Sequence, residues 1–371
     1  MISVGVRRKE CFIILVFVLS SLLLGGCTSD VADSRLMENK IFVTDVLERT
    51  VEIDKEAKRV VTVGPGALRL CCYFNNISMI VGVEQIDKDI TTGKSYLMAY
   101  PELANLPVIG QGGPNNSPDA EKILTVAPDI IFSTYASDKT TVDKLQSKIG
   151  VPVIAIGYGA SATFDYNVYT SLRLIGKTTG MEQKAEEIIG YMESCKNDLY
   201  MRTKEISDDG KPSVYVGGLG MKGAHGIEST QAKYSLFDAV NAKNVVDEIE
   251  ATGTLMIDKE KLIEWNPDKI FIDLSGFELI LQDYKKNPSY YNALSAFKNC
   301  EVYSLLPYNF YSTNIDTAIA DAYYIGKVLY PEKFADIDPV KKADEIYKTL
   351  LNKELYNEMA EVYRGFSKLA F

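Results

Sequence analysis

Histidine occurs once in these 371 residues, at His225. A bare zinc or manganese site built from several imidazoles is thereby excluded. Every Ser-His-Asp or Cys-His arrangement would also have to use this one residue. Cysteine is scarce, with six in all, and spaced Cys or His pairs of the zinc-holding kind are missing. The one long apolar run, Phe12 to Leu24, falls short of the roughly 20 residues that span a bilayer. Neither phosphate-binding signature is complete. Gly176-Lys177-Thr178 has the ending of a P-loop, but the earlier glycine it requires falls on Ser171. Gly218-Leu219-Gly220-Met221-Lys222-Gly223 runs into Ala224-His225-Gly226-Ile227, a loop sequence rather than the helix a dinucleotide site needs. Basic residues are in deficit, 40 Lys and Arg against 50 Asp and Glu, a balance unsuited to nucleic acid.

A composition of 46% hydrophobic and 24% charged residues describes a globular chain with material for two cores. At the N-terminus Arg7, Arg8 and Lys9 precede the apolar run, which ends in Leu24-Gly25-Gly26-Cys27. This is the layout of a secretory signal over 1–26. Leu-Gly-Gly-Cys resembles the bacterial lipobox, which implies that Cys27 becomes the lipid-modified first residue. The polar stretch 27–40 then reads as a tether to the extracytoplasmic face of the membrane. Loss of 1–26 moves the formal charge from −10 to about −12. Cys71, Cys72, Cys195 and Cys300 remain. The first two read as small buried side chains of a helix, with an export-linked disulfide left open.

One design is written twice. Glu121-Lys122-Ile123-Leu124-Thr125-Val126-Ala127-Pro128-Asp129-Ile130-Ile131-Phe132 returns as Glu260-Lys261-Leu262-Ile263-Glu264-Trp265-Asn266-Pro267-Asp268-Lys269-Ile270-Phe271, six of twelve positions identical. Each copy predicts a short helix, a stop before Pro-Asp and a buried strand. The copies lie too far apart for a solenoid. They predict an α/β fold of two similar lobes with largely parallel sheets, 41–180 and 208–371. The single long helix expected over 181–207 joins them, with a ligand cleft between. Met181 to Ile206 sets Ala185, Ile188, Ile189, Met192, Cys195 and Leu199 on one helical face. Ile41 to Ile53 predicts a hairpin.

Residues just after predicted strands are where open α/β sheets hold ligands. Tyr135, Tyr158, Tyr308 and Tyr311 fall there and could stack on a ligand or hydrogen-bond to it, or simply pack. Gly64-Pro65-Gly66, followed by Ala67, lies between a strand and a helix. Its N–H groups could favour an anion, or it could be only a tight turn. His225 reads equally as a ligand contact and as a plain loop residue.

Thr44 to Ile53, Lys58-Arg59-Val60-Val61, the Ala127-Pro128-Asp129-Ile130-Ile131 run and Asn244-Val245-Val246 together resemble the ABC-transporter substrate-binding proteins for iron complexes and vitamin B12. A glutamate, Glu48, stands where that family often has glycine. The resemblance implies a binding lipoprotein without catalysis and without a cofactor of its own, expected as a monomer. Its partners would be an ABC permease dimer with its ATPase and a metal-chelate ligand, most of all a ferric siderophore. Corrinoid, haem and a molybdate-like oxyanion are the alternatives. The rival from another class is a lipid-anchored cofactor-modifying enzyme. The resemblance further implies that Glu121 and Glu260 dock onto the permease. Around the cleft it sets Gly64 to Leu68, the loop from His225 to Thr230 and the loop Tyr308-Asn309-Phe310-Tyr311. Arg69 or the tyrosines would meet the ligand there.

Overall fold

The computed structural model describes residues 40–89, 93–114, 116–135, 138–220 and 222–371. The lipobox, Cys27 included, lies outside the described residues. The expected hairpin is present as β1 (Ile41–Thr44) and β2 (Thr50–Ile53), paired antiparallel. Four parallel strands follow: β3 (Val60–Val63), β4 (Ile80–Gly82), β5 (Ile130–Ser133) and β6 (Val153–Ala155). They stand side by side in the order β4-β3-β5-β6. The second half supplies β7 (Ser213–Gly217), β8 (Ser229–Ala232), β9 (Lys243–Asn244), β10 (Gly253–Met256), β11 (Lys269–Asp273) and β12 (Val302–Leu305). Its parallel sheet runs β9-β7-β11-β12, with β8 and β10 paired apart. In each sheet the strand that comes second in the chain stands at the edge, then the first, third and fourth.

The sequence repeat occupies the same place in both sheets, as the helix before the third strand and the strand itself. Each helix, Ala120–Thr125 and Lys259–Trp265, buries a branched aliphatic residue at the same place in the repeat, Ile123 or Leu262. The chain then turns through a left-handed residue, Ala127 (φ 43°) or Asn266 (φ 42°). The aspartate after the proline ties its strand to the neighbouring first strand. Asp129 accepts the backbone N–H groups of Lys58 and Arg59, both at 2.9 Å. Asp268 accepts that of Ser213 at 2.8 Å and its hydroxyl at 2.7 Å. The Pro-Asp pair thus recurs because each third strand is fastened to its neighbour by the same carboxylate bond. β5 is buried at every position and β11 at all but its first residue, as expected of parallel strands covered on both faces.

The connecting helix runs Glu182–Thr203, a little shorter than predicted, and buries all six residues of the expected face. It packs on the helix Tyr166–Thr179 of the first lobe and on Ile315–Leu329 of the second. One apolar core, including Leu172, Met192 and Ile319, therefore passes through both lobes and the connector. Cys71, Cys72 and Cys195 are buried and Cys300 is exposed, all four as free thiols. No helix among the described residues is long and apolar enough to cross a membrane.

Candidate functional site

The lobes meet at a short hairpin, β13 (Asn309–Phe310) and β14 (Ser312–Thr313), which reaches across to the loop after β3. In that loop Gly64 and Gly66 both have positive φ, 92° and 83°. A Cβ on Gly66 would stand 2.7 Å from the Tyr158 hydroxyl and 2.8 Å from Ser312 Oγ, so the close approach requires glycine. The loop does not turn all its N–H groups to the cleft as expected for an anion cradle. Gly64 N–H donates to the carboxyl of Glu84 at 2.9 Å, and Ala67 N–H closes back on the Gly64 carbonyl at 3.2 Å. Burial pushes the Glu84 carboxyl up to about 8, against the pull of that N–H.

Arg69 is the centre of the site. It lies on the short helix Ala67–Cys72 and is only 1% exposed. Its guanidinium lies over the Tyr96 ring, 5.1 Å from the centroid. Nη1 donates across the lobes to the Thr313 carbonyl at 3.1 Å and to the Tyr158 hydroxyl at 3.4 Å. Tyr158 in turn donates to the Gly66 carbonyl at 2.9 Å. Nε is buried with no acceptor, and Arg69 forms no ion pair among the described residues.

A second buried cation, Lys94, stands nearby, 2% exposed. It donates to the Ile86 carbonyl, sits 5.5 Å from the Phe310 ring centroid and faces Asp87 at 3.8 Å. Burial draws its pKa below the ordinary lysine value, with Asp87 opposing. Asp87 also accepts the Tyr96 hydroxyl at 2.6 Å. Between Arg69, Lys94, Tyr96, Phe310 and Tyr311 the lobes leave a cavity of only about 10 Å³. Phe310 also lines a chamber of about 210 Å³ on the second lobe, shared with Gly220, Ser275, Asn309 and Tyr363. A larger groove, about 480 Å³, flanks the connecting helix at Phe164, Glu193, Lys196 and Asp238. Glu193 and Lys196 are exposed there, and no buried unpaired cation faces it.

Of the residues singled out in sequence, Gly64, Pro65, Gly66, Arg69 and Tyr311 line the small cavity, with Tyr158 bonded to its wall. Asn309 belongs to the chamber and donates to the Gly220 carbonyl at 2.9 Å. Three others do not line the cavity, although the Tyr135 ring packs against Gly64. Ala67 is wholly buried in the core. Tyr308 is 5% exposed, its ring 6.3 Å from that of Tyr234, so it packs rather than contacts the cleft. Tyr135 spends its hydroxyl on the Gly113 carbonyl at 2.6 Å and lines a separate pocket with Thr141 and Leu145. His225 lies beside the chamber's Ala224, with Nε2 buried and without a partner. Sequence reading missed Lys94 and Tyr96 as cleft residues, whereas Phe310 lies in the loop it set around the cleft. Among the described residues no group of three His, Cys, Asp or Glu side chains could hold a bare metal ion.

Two lobes of like topology, a helix between them and charged groups buried where they meet define a two-lobed solute-binding protein. The chain matches the family described as "Periplasmic binding protein" over residues 78–308, well over half its length, and belongs to it. It is 22% identical over 337 residues to the ABC transporter substrate-binding lipoprotein YvrC of Bacillus subtilis, covering 89% of this chain and 100% of that one. It is 24% identical over 350 residues to the molybdate-binding protein MolA of Haemophilus influenzae, covering 89% and 95%. The molybdate-bound MolA structure superposes with a TM-score of 0.67 over 85% of this chain and 98% of that one, at 21% identity. Proteins of this kind bind solutes outside the cytoplasm for ABC importers, with a permease and its ATPase as partners, and are not enzymes.

Proposed function

We propose that this protein is a lipid-anchored receptor that captures a compact anionic metal species at Arg69 and Lys94 and delivers it to an ABC importer. The observation that carries this reading is the buried guanidinium without an ion-pair partner. A charge taken out of water costs several kcal/mol unless it is paired. A solute anion supplies the missing partner, with Nε free to donate to it. A molybdate-like oxyanion is the smallest of the candidate solutes and needs the least widening of a space that has room for about one water, and MolA, named for molybdate, is similar along nearly the whole chain.

The second reading is the ferric chelate expected from sequence. The rings of Tyr96, Phe310 and Tyr311 favour it, as does the 210 Å³ chamber that movement of Phe310 would join to the cavity. Haem and cobalamin would require a larger opening of the same hairpin.

Melting temperatures decide between these. A solute at 100 times its Kd adds about 2.7 kcal/mol to the native state, a shift of several degrees. Molybdate or tungstate is expected to give that shift, against ferric catecholates, ferric hydroxamates, haem and cobalamin. A shift with a ferric chelate alone would select the second reading, and none with any of them would reject both. Anchoring rests on the Leu24-Gly25-Gly26-Cys27 motif. Cys27→Ser should move the protein from the membrane fraction to the soluble one, and continued membrane association would refute the lipid anchor.

A further inference from the structure

The two copies of the repeat share more than a buried aliphatic. In each, the residue after it is an exposed one: Leu124 at 49% and Ile263 at 39%. Each stands three residues after an exposed glutamate, Glu121 or Glu260, which places the two side chains as neighbours on one helix face. The lysine between is neutralised in both copies. Lys122 pairs with Asp119 at 3.5 Å and Lys261 with Glu264 at 2.9 Å. Neither Glu121 nor Glu260 forms an ion pair or side-chain hydrogen bond among the described residues. Each lobe therefore presents an unneutralised carboxylate beside an aliphatic knob, at equivalent places in the two sheets.

We infer that Leu124 and Ile263 are paired apolar contacts of the permease-docking surface, each seated in a socket beside a basic residue on one permease subunit. The inference rests on the reading that Glu121 and Glu260 dock there. Single exposed aliphatics are common and mean little. Here the same knob recurs beside the same carboxylate, in a chain that meets a partner acting as a pair of subunits. Two like patches on two like lobes suit two symmetry-related sockets. Self-association through these faces is disfavoured, because it would set carboxylates against one another in a protein of charge −10. The division of labour follows from the physics. The carboxylates steer the encounter and respond to salt, whereas the knobs exclude water and slow departure.

The test is binding of the full chain to the permease–ATPase complex in lipid nanodiscs. Leu124→Ala and Ile263→Ala should each weaken docking roughly ten-fold, equally at low and high salt and through faster dissociation. Leu124→Gln, which keeps length and exposure, should behave like Leu124→Ala. All three should melt as the wild type does, since both sites are on the surface. Glu121→Ala and Glu260→Ala should slow association in a salt-dependent way. If the glutamate variants weaken while the aliphatic ones dock normally, the knobs are refuted and the docking surface stands. If only one lobe's aliphatic matters, the paired footprint is refuted. If glutamate and aliphatic variants all dock normally, the surface itself is wrong.

Discussion

Replacing Arg69 with methionine is expected to weaken solute binding by roughly 10²–10³-fold, because breaking a buried charge pair costs about 3–5 kcal/mol. The same change should raise the melting temperature of the solute-free protein. Wild-type Arg69 is buried with Nε unsatisfied and in no ion pair among the described residues, although its charge is felt by the buried Asp316 carboxyl. Methionine fills much of the same volume without a charge to desolvate. The lost bonds to the Thr313 carbonyl and the Tyr158 hydroxyl and the lost contact with the Tyr96 ring oppose this gain; a hydrogen bond to a charged group contributes about 1.5–3 kcal/mol, against the several kcal/mol that desolvating an unpaired charge costs. A residue that binds solute and strains the empty protein leaves this paired signature, which a packing residue would not. Retained affinity in Arg69→Met, or a lower melting temperature combined with normal binding, would overturn the site.

The second large effect concerns pH. Asp273, at the end of β11, and Asp321, on the helix Ile315–Leu329, are both wholly buried. Asp273 accepts the N–H of Ser275 at 2.8 Å and Asp321 that of Leu306 at 3.0 Å. The second oxygen of each has no partner. The groups facing them are Tyr234 and Tyr308, with Tyr324, Tyr347 and Tyr356 also around Asp321, and these buried phenols are themselves pushed up and stay neutral. No cation contributes to either carboxyl. Burial pushes Asp273 up to about 7, and burial together with the Asp273 charge pushes Asp321 well above the ordinary value.

In the unfolded chain both would ionise near the usual carboxyl range of about 4. From there to about pH 7 the folded state holds protons that the unfolded state has released, so stability is full at low pH and falls as pH rises. Asp321→Asn keeps an acceptor for Leu306 and removes the second negative charge. The urea midpoint of the wild type should drop between pH 5 and pH 8, by the equivalent of a few kcal/mol to order of magnitude. In Asp321→Asn much of that drop should vanish. Equal pH dependence in the two proteins would refute the account. Because Ser275 and the residues after Leu306 border the 210 Å³ chamber, this pair supports one wall of the cleft.

Much of the architecture was legible before any coordinates. The duplicated Pro-Asp run marked the third strand of each sheet, and apolar spacing located the connecting helix within a few residues. The reason is local: turn residues, caps and hydrophobic period act over distances of a few residues. The cleft was legible only in part. Arg69 was named through the family resemblance, as a cation that would meet the ligand, but Lys94 looks in sequence like any surface lysine. It is buried because Asn314 donates to the neighbouring Gly93 carbonyl at 2.6 Å and draws the segment against the other lobe. Tyr308 and Tyr311 looked equivalent after β12. One turns into the core against Tyr234 and the other lines the cavity, a difference set by the hairpin between them. The chamber behind Phe310 had no signal in sequence, since it exists only where loops from β7, β11 and β12 converge.

By itself the sequence determined two α/β lobes, their order and the family, because those follow from patterns repeated along the chain. Only the tertiary structure decided which buried cation lacks an ion pair among the described residues. Arg69 meets Thr313 across 244 residues of chain, and Nε is left alone because no acceptor among the described residues of either lobe arrives there. Whether a charge is satisfied depends on everything that packs around it, and that is a property of the folded space between lobes rather than of any local stretch.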